Sequence, residues 1–518
     1  MNRAKAAVRI RLVMATSRSA TLEILNGHPY RSPAAHAVSV GGKVVWSGYE
    51  NVFTLRGLAP SKTHTVKLES AGARASLSLR TKGETAALSV AAFGAVGNGT
   101  ADDTVAIQAA IASCPAGGVV VLPAGDWLSA PLFLKSGVDL LLERGARLIG
   151  HPDIDRWPVL PGTVPANGRG DQVLGTWEGE AADMHASLLT GIEVENVAIH
   201  GEGVIDGNAS FETWWSRPKT PFRGWRPRAV FFVRSKNVAM EGVTVRNSPS
   251  WTIHPFRSRR VTLAKLKVEA PFDSPNTDGI NPDSCEDVTI AGVHFSTGDD
   301  CISIKSGKIS LAKSDPMATR RVRISNCLME NGHGAVVLGS EMSGGIYDVE
   351  ARDCLFVGTD RGLRLKTRRG RGKLAVVDGV KLRNIRMERV GTPFVINSFY
   401  WCDPDGKEFW IGDRNKRPVD DGTPTLRNVS IKDIVCDGTT VSAGFVLGLP
   451  ERPVQGISID NYRVRFDPDA KPGEPDMAAG IEMVAREGFR LHNVRKLSLK
   501  RIDIEGADGP SMIRENAT

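Results

Sequence analysis

The chain has 518 residues, of which 41% are hydrophobic, 24% charged and only 6% aromatic, and it contains 54 Gly. These proportions are typical of a globular protein with a large core, and they favour many strands joined by tight turns over helical bundles. No run of 18 apolar residues is present, which excludes a transmembrane helix. The formal net charge of +8 favours an anionic partner: nucleic acid, a membrane surface or an acidic substrate.

The N-terminus, MNRAKAAVRIRLVMATSRSATLEI, is basic but lacks a continuous apolar core and a small-residue cleavage site. It does not resemble a signal peptide, so we expect a cytoplasmic protein, with a periplasmic or secreted location open if the chain is trimmed. The seven Cys include no CxxC pair, which argues against a disulfide framework and a structural zinc site. We expect no metal and no other cofactor.

Residues 1–85 are predicted to form a separate module. Short segments alternate apolar and polar residues between turns rich in Gly, Pro and Ser, the pattern of a small antiparallel β-sandwich. The stretch 52–68 resembles the E–F corner and F strand of fibronectin type III domains. Nothing in this module suggests catalysis, and we expect a spacer or packing domain.

The second predicted domain, residues 86–518, begins with a cap. Asp102 or Asp103 is placed to cap a helix over about 104–113. Short strands are then predicted at 119–122, 132–134 and 138–142. One helix before a long series of short strands suits the end of a β-solenoid, whose exposed edge needs covering.

A pattern of polar-Val-x-apolar-x-x-apolar-x-apolar then repeats. Its first Val recurs every 23 to 34 residues, which is one solenoid coil with loops of variable length. These residues are Val238, Val261, Val288, Val322, Val349 and Val380. The spacing predicts a right-handed parallel β-helix whose coils stack about 4.8 Å apart. Cys327 and Cys354 occupy equivalent repeat positions, and we interpret them as apolar members of an interior ladder.

The densest group of charged side chains falls in successive coils: Asn276 with Asp278, Asp299 with Asp300, His333, and Arg364 with Lys366. The separations of 21 (278 to 299), 34 (299 to 333) and 31 (333 to 364) are each about one coil, so stacking places the group on one flank. Three carboxyls this close cannot all ionise comfortably, so at least one pKa should rise, as a general acid requires. An Arg and a Lys on the same face suit a sugar that carries a carboxylate.

Simpler interpretations exist for each motif alone. Asp-Asp pairs are common in surface turns, and the basic run 361–373 can be a solvated loop or a nucleic-acid patch. The shared phase across coils is what favours a catalytic site.

The ordered motifs NTD, GDD, GHG and RLK resemble the polygalacturonase family, the family 28 glycoside hydrolases. The similarity runs from about residue 88 to the C-terminus and includes VIDGN from 204, NSPSWTIHP from 247 and GSEMSGG from 339. The usual fourth motif is RIK, and Leu365 here replaces the Ile. The N-terminal module and the GSEMSGG segment are more similar to bacterial exo-acting members.

The resemblance implies an inverting, metal-independent hydrolase that cleaves α-1,4 linkages between galacturonate residues. It implies that Asp299 is the general acid and that Asp278 and Asp300 activate the water. His333 would maintain the protonation of the acid. The resemblance also implies that four residues bind substrate, two of them through its carboxylate (Arg364 and Lys366), the others being Asn276 and Tyr400.

Two long insertions, 161–185 and 401–426, are predicted to close one end of the cleft, which favours exo action on polygalacturonate or its oligomers. A closed cleft would bind the non-reducing end of the chain. Four basic residues in the insertions are candidates to hold its carboxylate: Arg169, Arg414, Lys416 and Arg417.

Other functions stay open. They are an endo-polygalacturonase, a rhamnogalacturonan or xylogalacturonan hydrolase, a β-helix pectate lyase that uses calcium, and a non-catalytic carbohydrate-binding solenoid. The ordered GDD and GHG motifs argue against the lyase, and a binding solenoid would need exposed aromatic residues where this flank gathers charge. We expect neither a membrane nor nucleic acid as a partner, because the sequence has no known nucleic-acid-binding motif.

Overall fold

A computed structural model describes residues 8–166 and 170–518. The chain begins with two antiparallel sheets. The first contains Arg9–Ala15, Ser19–Leu25 and Val52–Arg56; the second contains Lys43–Glu50, Arg31–Val40, Thr63–Ser70 and Ala73–Arg80, in that spatial order. Both sheets contribute apolar side chains to one core, as Leu22 and Val66 illustrate. The sequence pattern does not reveal Lys43–Glu50, because the adjacent Val44 and Val45 are both exposed and interrupt the alternation.

From Ala87 onward the chain forms a right-handed parallel β-helix, which confirms the predicted fold class. Its first column of stacked strands contains Ala87–Ser89, Val119–Leu122, Asp139–Leu142, Glu195–Gly201, Lys236–Glu241, Arg259–Ala264, Glu286–Ala291, Thr319–Ser325 and Ile346–Arg352. Its second contains Asn98–Asp102, Gly125–Ser129, Ala146–Gly150, Val204–Asp206, Thr244–Arg246, Lys267–Glu269, His294–Ser296, Leu328–Glu330 and Leu355–Val357. The two columns then merge in the long strands Val376–Glu388, Thr425–Thr439, Val454–Phe466 and Glu487–Glu505.

The repeated Val residues form one continuous ladder. Val238 pairs with Val261, and the series continues in register through Val288, Val322, Val349 and Val380. Each of these side chains is almost fully buried in the central core. Cys327 and Cys354 are also buried in this core, and all seven Cys are free thiols.

A third column of strands contains the RLK motif, and the GDD and GHG motifs lie directly before two of its strands. It contains Leu132–Phe133, Leu189–Ile192, Val230–Val233, Ile253–Phe256, Ile302–Ile304, Val336–Leu338, Arg361–Lys366, Thr392–Asn397, Ser442–Leu447 and Met512–Ala517. Glu487–Glu505 pairs with the last two of these before it joins the merged columns.

Helices are few. The cap helix spans Thr104–Ser113, where the sequence predicts it, and its buried face holds Ile107, Ala110 and Ile111. The other helical segments are Val90–Phe93, Ile154–Arg156, Ile309–Ser314, Asp403–Gly406 and Phe409–Gly412. Across residues 8–166 and 170–518, no helix has the length and apolar character needed to cross a membrane.

The insertion 161–185 folds back on itself as short antiparallel pairs. Val159–Leu160 pairs with Met184–His185, Thr163–Ala166 with Gly170–Val173, and Thr176–Trp177 with Glu180–Ala181. Arg169, one of the basic residues predicted to bind a carboxylate, lies outside the described residues.

The N-terminal strands pack on the first column through buried polar contacts. Glu241 accepts hydrogen bonds from Ser19 at 3.0 Å, Thr54 at 3.0 Å and Arg56 at 2.7 Å. Several coils away, Glu23 accepts from Asn326 at 2.7 Å, and Arg352 at 3.0 Å. The division of the chain near residue 85 and the fibronectin type III identity stay predictions.

Candidate active site

The parallel register of the third column assembles the charged motifs. Ile302 pairs with Val336, which pairs with Leu363, and Ile280 forms bridges on the preceding coil. Within these strands the apolar residues face the core, so the alternating residues face outward. Motifs that are separated by one coil in the sequence therefore meet on one side of the β-helix.

A small polar cavity of about 100 Å³ lies on this side. Its acidic lining residues are Glu178, Asp278, Asp299, Asp300, Glu341 and Asp403. Its basic lining residues are Lys219, Lys305 and Lys366, and its other lining residues are Trp251, Asn276, Ser340, Tyr400 and Cys402. The cavity thus combines several carboxyls with cations, as the sequence motifs suggest.

The three aspartates of the NTD and GDD motifs differ in environment. The side chains of Asp278 and Asp300 are 4% and 2% exposed, whereas that of Asp299 is 26% exposed. Asp299 also lies beside His333, with Nδ1 of the His 3.7 Å from Oδ1 of the Asp. Asp299 is therefore the carboxyl of the three that is most accessible from the cleft.

Asp300 is held by two cations. Its Oδ2 accepts a hydrogen bond from Lys366 Nζ at 2.8 Å, and its Oδ1 lies 3.6 Å from Arg364 Nη1. That Oδ1 accepts no hydrogen bond from any protein group in the described part of the chain. Lys366 and Arg364 thus fix the carboxylate of Asp300 in place.

The pKa values of the two buried aspartates move in opposite directions. Burial, reinforced by the charge of Asp299, raises the pKa of Asp278 well above its ordinary value, and Lys305 only partly offsets this. Burial acts on Asp300 in the same sense, but Lys366 and Arg364 outweigh it and lower the pKa of Asp300 to about 2. The raised pKa thus falls on Asp278, while Asp300 stays ionised.

The predicted substrate-binding residues lie at different depths. Lys366, Asn276 and Tyr400 line the cavity, and Asn276 Oδ1 accepts a hydrogen bond from Arg226 at 2.7 Å. The Tyr400 ring lies 5.3 Å from Lys366 Nζ, a cation–π distance. Arg364 is 2% exposed and does not line the cavity.

Two residues at the site, Lys305 and Asp476, lie outside the four sequence motifs. Lys305 lies 2.8 Å from Glu341, 3.9 Å from Asp278 and 4.5 Å above the Trp251 ring. Alternation along CISIKSG offers a signal for Lys305, because Ile302 and Ile304 face the core and leave Lys305 on the outer face. Asp476, which pairs with Arg364 at 2.6 Å, lies in an aperiodic stretch that gives no such signal.

Both long insertions reach the cavity. Glu178 comes from the first insertion, and Cys402 and Asp403 from the second. Lys308 joins them, since its backbone N–H donates to Gly179 O at 2.8 Å and its Nζ lies 3.3 Å from Asp403. The predicted basic residues of the second insertion do not line the cavity: Arg417 pairs with Asp413 at 2.8 Å, Arg414 donates to Ala479 O at 2.8 Å, and Lys416 is exposed.

Within residues 8–166 and 170–518, no three His, Cys, Asp or Glu side chains meet in an arrangement that would hold a metal ion. The carboxyls of the cavity instead have Lys and Arg side chains as their neighbours.

A parallel β-helix with clustered carboxyls in a lateral cleft defines a carbohydrate-processing enzyme of the β-helix class. The sequence profile described as Glycosyl hydrolases family 28 matches residues 170–465, and a profile described as Rhamnogalacturonase A/epimerase, pectate lyase-like matches residues 87–152. The chain belongs to family 28 of the glycosyl hydrolases, and it is therefore a glycoside hydrolase.

Individual relatives agree. A probable polygalacturonase of Vitis vinifera is 33% identical over 395 residues, which cover 73% of this chain and 74% of the relative. An endo-polygalacturonase of Pectobacterium carotovorum subsp. carotovorum is 30% identical and covers 64% of this chain and 87% of its own length.

Solved structures are also similar. The exopolygalacturonase of Thermotoga maritima matches with a TM-score of 0.66 and 26% identity, covering 81% of this chain and 92% of its own. The family 28 exopolygalacturonase of Yersinia enterocolitica matches with a TM-score of 0.74 and 19% identity, covering 99% of this chain and 98% of its own, which shows the shared fold.

Proposed function

We propose that the protein is an exo-acting polygalacturonase that hydrolyses α-1,4 linkages between galacturonate residues with inversion. The observation that carries this proposal is one cavity lined by four aspartates and three lysines. The carboxyls supply acid and base groups for glycoside hydrolysis, and the lysines supply positive charge for a sugar acid.

The acid of the reaction is Asp299. Its accessible carboxyl, beside His333, protonates the glycosidic oxygen as the C1–O bond breaks, so the leaving sugar departs as an alcohol. Burial and the neighbouring charge of Asp299 raise the pKa of Asp278, which lies beside the acid. His333, with Nδ1 3.7 Å from Asp299 Oδ1, is placed to assist this proton transfer.

The base is Asp300, and Asp278 helps to hold the attacking water. Asp300 carries the negative charge that a base requires, because Lys366 and Arg364 lower its pKa to about 2. The water oxygen bonds to C1 on the face opposite the leaving group, and its proton passes to the carboxylate, which gives inversion. Inverting enzymes separate their acid and base by roughly 6.5–9.5 Å to admit that water.

The lysines of the cavity are the groups that recognise the carboxylates of the substrate. Lys366 lines the cavity, and Lys219, whose side chain is 62% exposed, carries the most accessible ammonium there. Glu178 lies 2.5 Å from Lys219 and holds it over the cleft. Asn276 and Tyr400 provide the neighbouring polar and aromatic surface.

The two insertions support the proposal of exo action. Glu178 and Asp403 stand in the cavity wall, and Lys308 links the two loops. Loops at the side of the cavity leave room for the end of a substrate chain but block a polymer that continues past it. This arrangement supports attack at the non-reducing end.

The test is product analysis on polygalacturonate and on trigalacturonate, following reducing ends, absorbance of unsaturated product and viscosity. We expect saturated mono- or digalacturonate with little early loss of viscosity. Rapid viscosity loss with mixed oligomers would make the enzyme endo-acting. Unsaturated product, or no cleavage while a rhamnogalacturonan is cleaved, would refute the proposal. Carboxyl-reduced trigalacturonate is the matched control, and it should be cleaved poorly because the lysines of the cavity then have no carboxylate to bind.

A further inference from the structure

Three successive turns form one rim of the cleft, and the general acid lies in the middle one. The turns span 270–276, 297–301 and 331–335. Each follows a strand of the second column, and these strands pair in register, so the turns stack with the spacing of the coils. Phe272, Asp299 and His333 lie one in each turn.

The turns that carry Phe272 and Asp299 are in close contact. A Cβ atom placed on Gly298 would lie 2.6 Å from Pro271 O and 2.5 Å from Ser274 O, so only Gly admits this packing. Pro271 O also accepts a hydrogen bond from Ser274 N at 3.1 Å, which closes the turn around Phe272. Backbone packing therefore fixes the place of Phe272 beside the acid.

Phe272 and His333 lie in the turns on either side of the turn that carries the acid. Their rings are 6.3 Å apart in a T-shaped arrangement, and His333 Nδ1 lies 3.7 Å from Asp299 Oδ1. Asp299 lines the cavity, whereas neither of the two rings does. The acid therefore marks the boundary between the cavity and this pair of aromatic rings.

Most of the Phe272 surface is free to bind a ligand. The residue is 59% exposed, although it packs against His333. Sugars bind to exposed aromatic rings through their apolar faces, because such a ring offers a large apolar surface of fixed shape. Galacturonate has an apolar face of this kind, since its C3–H, C4–H and C5–H bonds all lie on one side of the ring.

The position of Phe272 relative to the acid indicates which sugar it contacts. In the proposed reaction, the cavity holds the non-reducing end of the substrate, and both insertions contribute to its wall. The general acid protonates the oxygen that joins this part of the substrate to the next sugar. The next sugar, which departs as an alcohol, therefore lies past Asp299, where Phe272 is exposed.

We infer that Phe272 is a specificity-determining residue that binds the apolar face of the leaving sugar. This inference rests on the proposed function and adds a contact on the leaving side of the cleaved bond. A phenyl ring neither donates nor accepts the transferred proton, so its contribution is to binding. Loss of the ring should therefore affect KM more than kcat.

The variant that tests this inference is Phe272→Ala, with trigalacturonate and methyl α-galacturonide as substrates. The methyl glycoside needs protonation of its leaving oxygen but has no leaving sugar. We expect KM for trigalacturonate to rise about 5- to 10-fold, the size of one aromatic contact, with kcat within about 2-fold of the wild type. For methyl α-galacturonide, kcat/KM should stay within about 2-fold of the wild type.

Phe211→Ala is the matched control. Phe211 is 48% exposed, makes a T-shaped contact with Trp215 at 5.3 Å, and follows the second-column strand two coils earlier. This variant should match the wild type on both substrates. Phe272→Tyr keeps an aromatic ring at the rim, and its KM for trigalacturonate should lie within about 2-fold of the wild-type value.

An unchanged KM for trigalacturonate in folded Phe272→Ala would overturn the inference. So would an equal loss of kcat/KM on both substrates, because Phe272 would then act through His333 and the acid and not on the leaving sugar. Failure of the proposed function is distinguishable, since it is visible in the wild type alone: a wild type that releases no saturated galacturonate from trigalacturonate would refute the hydrolase itself.

Discussion

Replacing Asp299 with Asn tests the proposed mechanism most directly. The Asn keeps the size of the side chain and an Oδ1 atom, which in the native protein accepts a hydrogen bond from Asp300 N at 2.9 Å. The side chain is partly exposed at 26%. Folding stability should therefore change by no more than about 0.5 kcal/mol, as for other accessible positions.

The effect on catalysis should be large, because an amide cannot donate its proton to the leaving oxygen. General acid catalysis contributes about 10²- to 10⁴-fold. At 1.36 kcal/mol per tenfold, this corresponds to about 2.7–5.4 kcal/mol of lost transition-state stabilisation. KM should stay within about 3-fold, because the cations of the cavity are untouched.

The assay is the release of reducing ends from trigalacturonate, compared with hydrolysis of an aryl α-galacturonide whose leaving group needs little protonation. The deficit of Asp299→Asn should shrink markedly on the aryl substrate. Asp273→Asn, an exposed carboxyl on the preceding loop, is the control and should keep normal activity. Near-normal turnover of trigalacturonate by folded Asp299→Asn, or an equal deficit on both substrates, would refute the assignment of the acid.

Three other predictions concern stability and product pattern. Asp278→Asn should stabilise the protein by about 1–2 kcal/mol at pH 7 while abolishing most activity. Because burial raises the pKa of Asp278 in the folded protein, this carboxyl stabilises the fold fully when the pH is below its ordinary pKa, and that stability is lost as the pH rises through the folded pKa. The extra stability of Asp278→Asn, measured as an increase in the thermal midpoint, should therefore vanish at about pH 3. Glu241→Ala should destabilise the fold by about 1–3 kcal/mol in denaturant unfolding, because it leaves buried hydroxyls and Arg56 without their acceptor, and an unchanged midpoint would contradict this. Lys308→Met should loosen the contact between the insertions and increase the viscosity loss per bond cleaved on polygalacturonate. An unchanged viscosity loss per bond cleaved would mean that these loops do not determine exo action.

The sequence predicts the β-helix well because its repeats are enforced by burial. A stacked coil must place an apolar residue at the same inward position each time, so the Val238–Val380 ladder is visible as a pattern and appears in the structure in the same register. The cap helix is equally predictable, because its start and its apolar face are both local signals.

The site is predictable only where it shares that periodicity. Asp278, Asp300 and Lys366 meet because Asp278 and Asp300 lie directly before stacked positions of the third column and Lys366 lies in one of its strands. Asp476 is more than a hundred residues from Arg364, and it arrives through a loop whose path no periodic pattern specifies. The opposite pKa shifts of Asp278 and Asp300 are also invisible in the sequence, since they depend on burial and on which cation lies nearest.

The buried contacts of the N-terminal sheets have a consequence for how the β-helix opens. In a stack of coils each coil touches only its neighbours, so local unfolding can begin anywhere and spread in steps. Here the N-terminal strands bind Glu241 at one coil and Arg352 four strands further along the same column. Coils between these points cannot separate without also releasing the N-terminal sheets. The stretch that carries Asp278, Asp299 and Asp300 should therefore exchange its amide hydrogens as one cooperative unit, while coils nearer the C-terminus exchange independently.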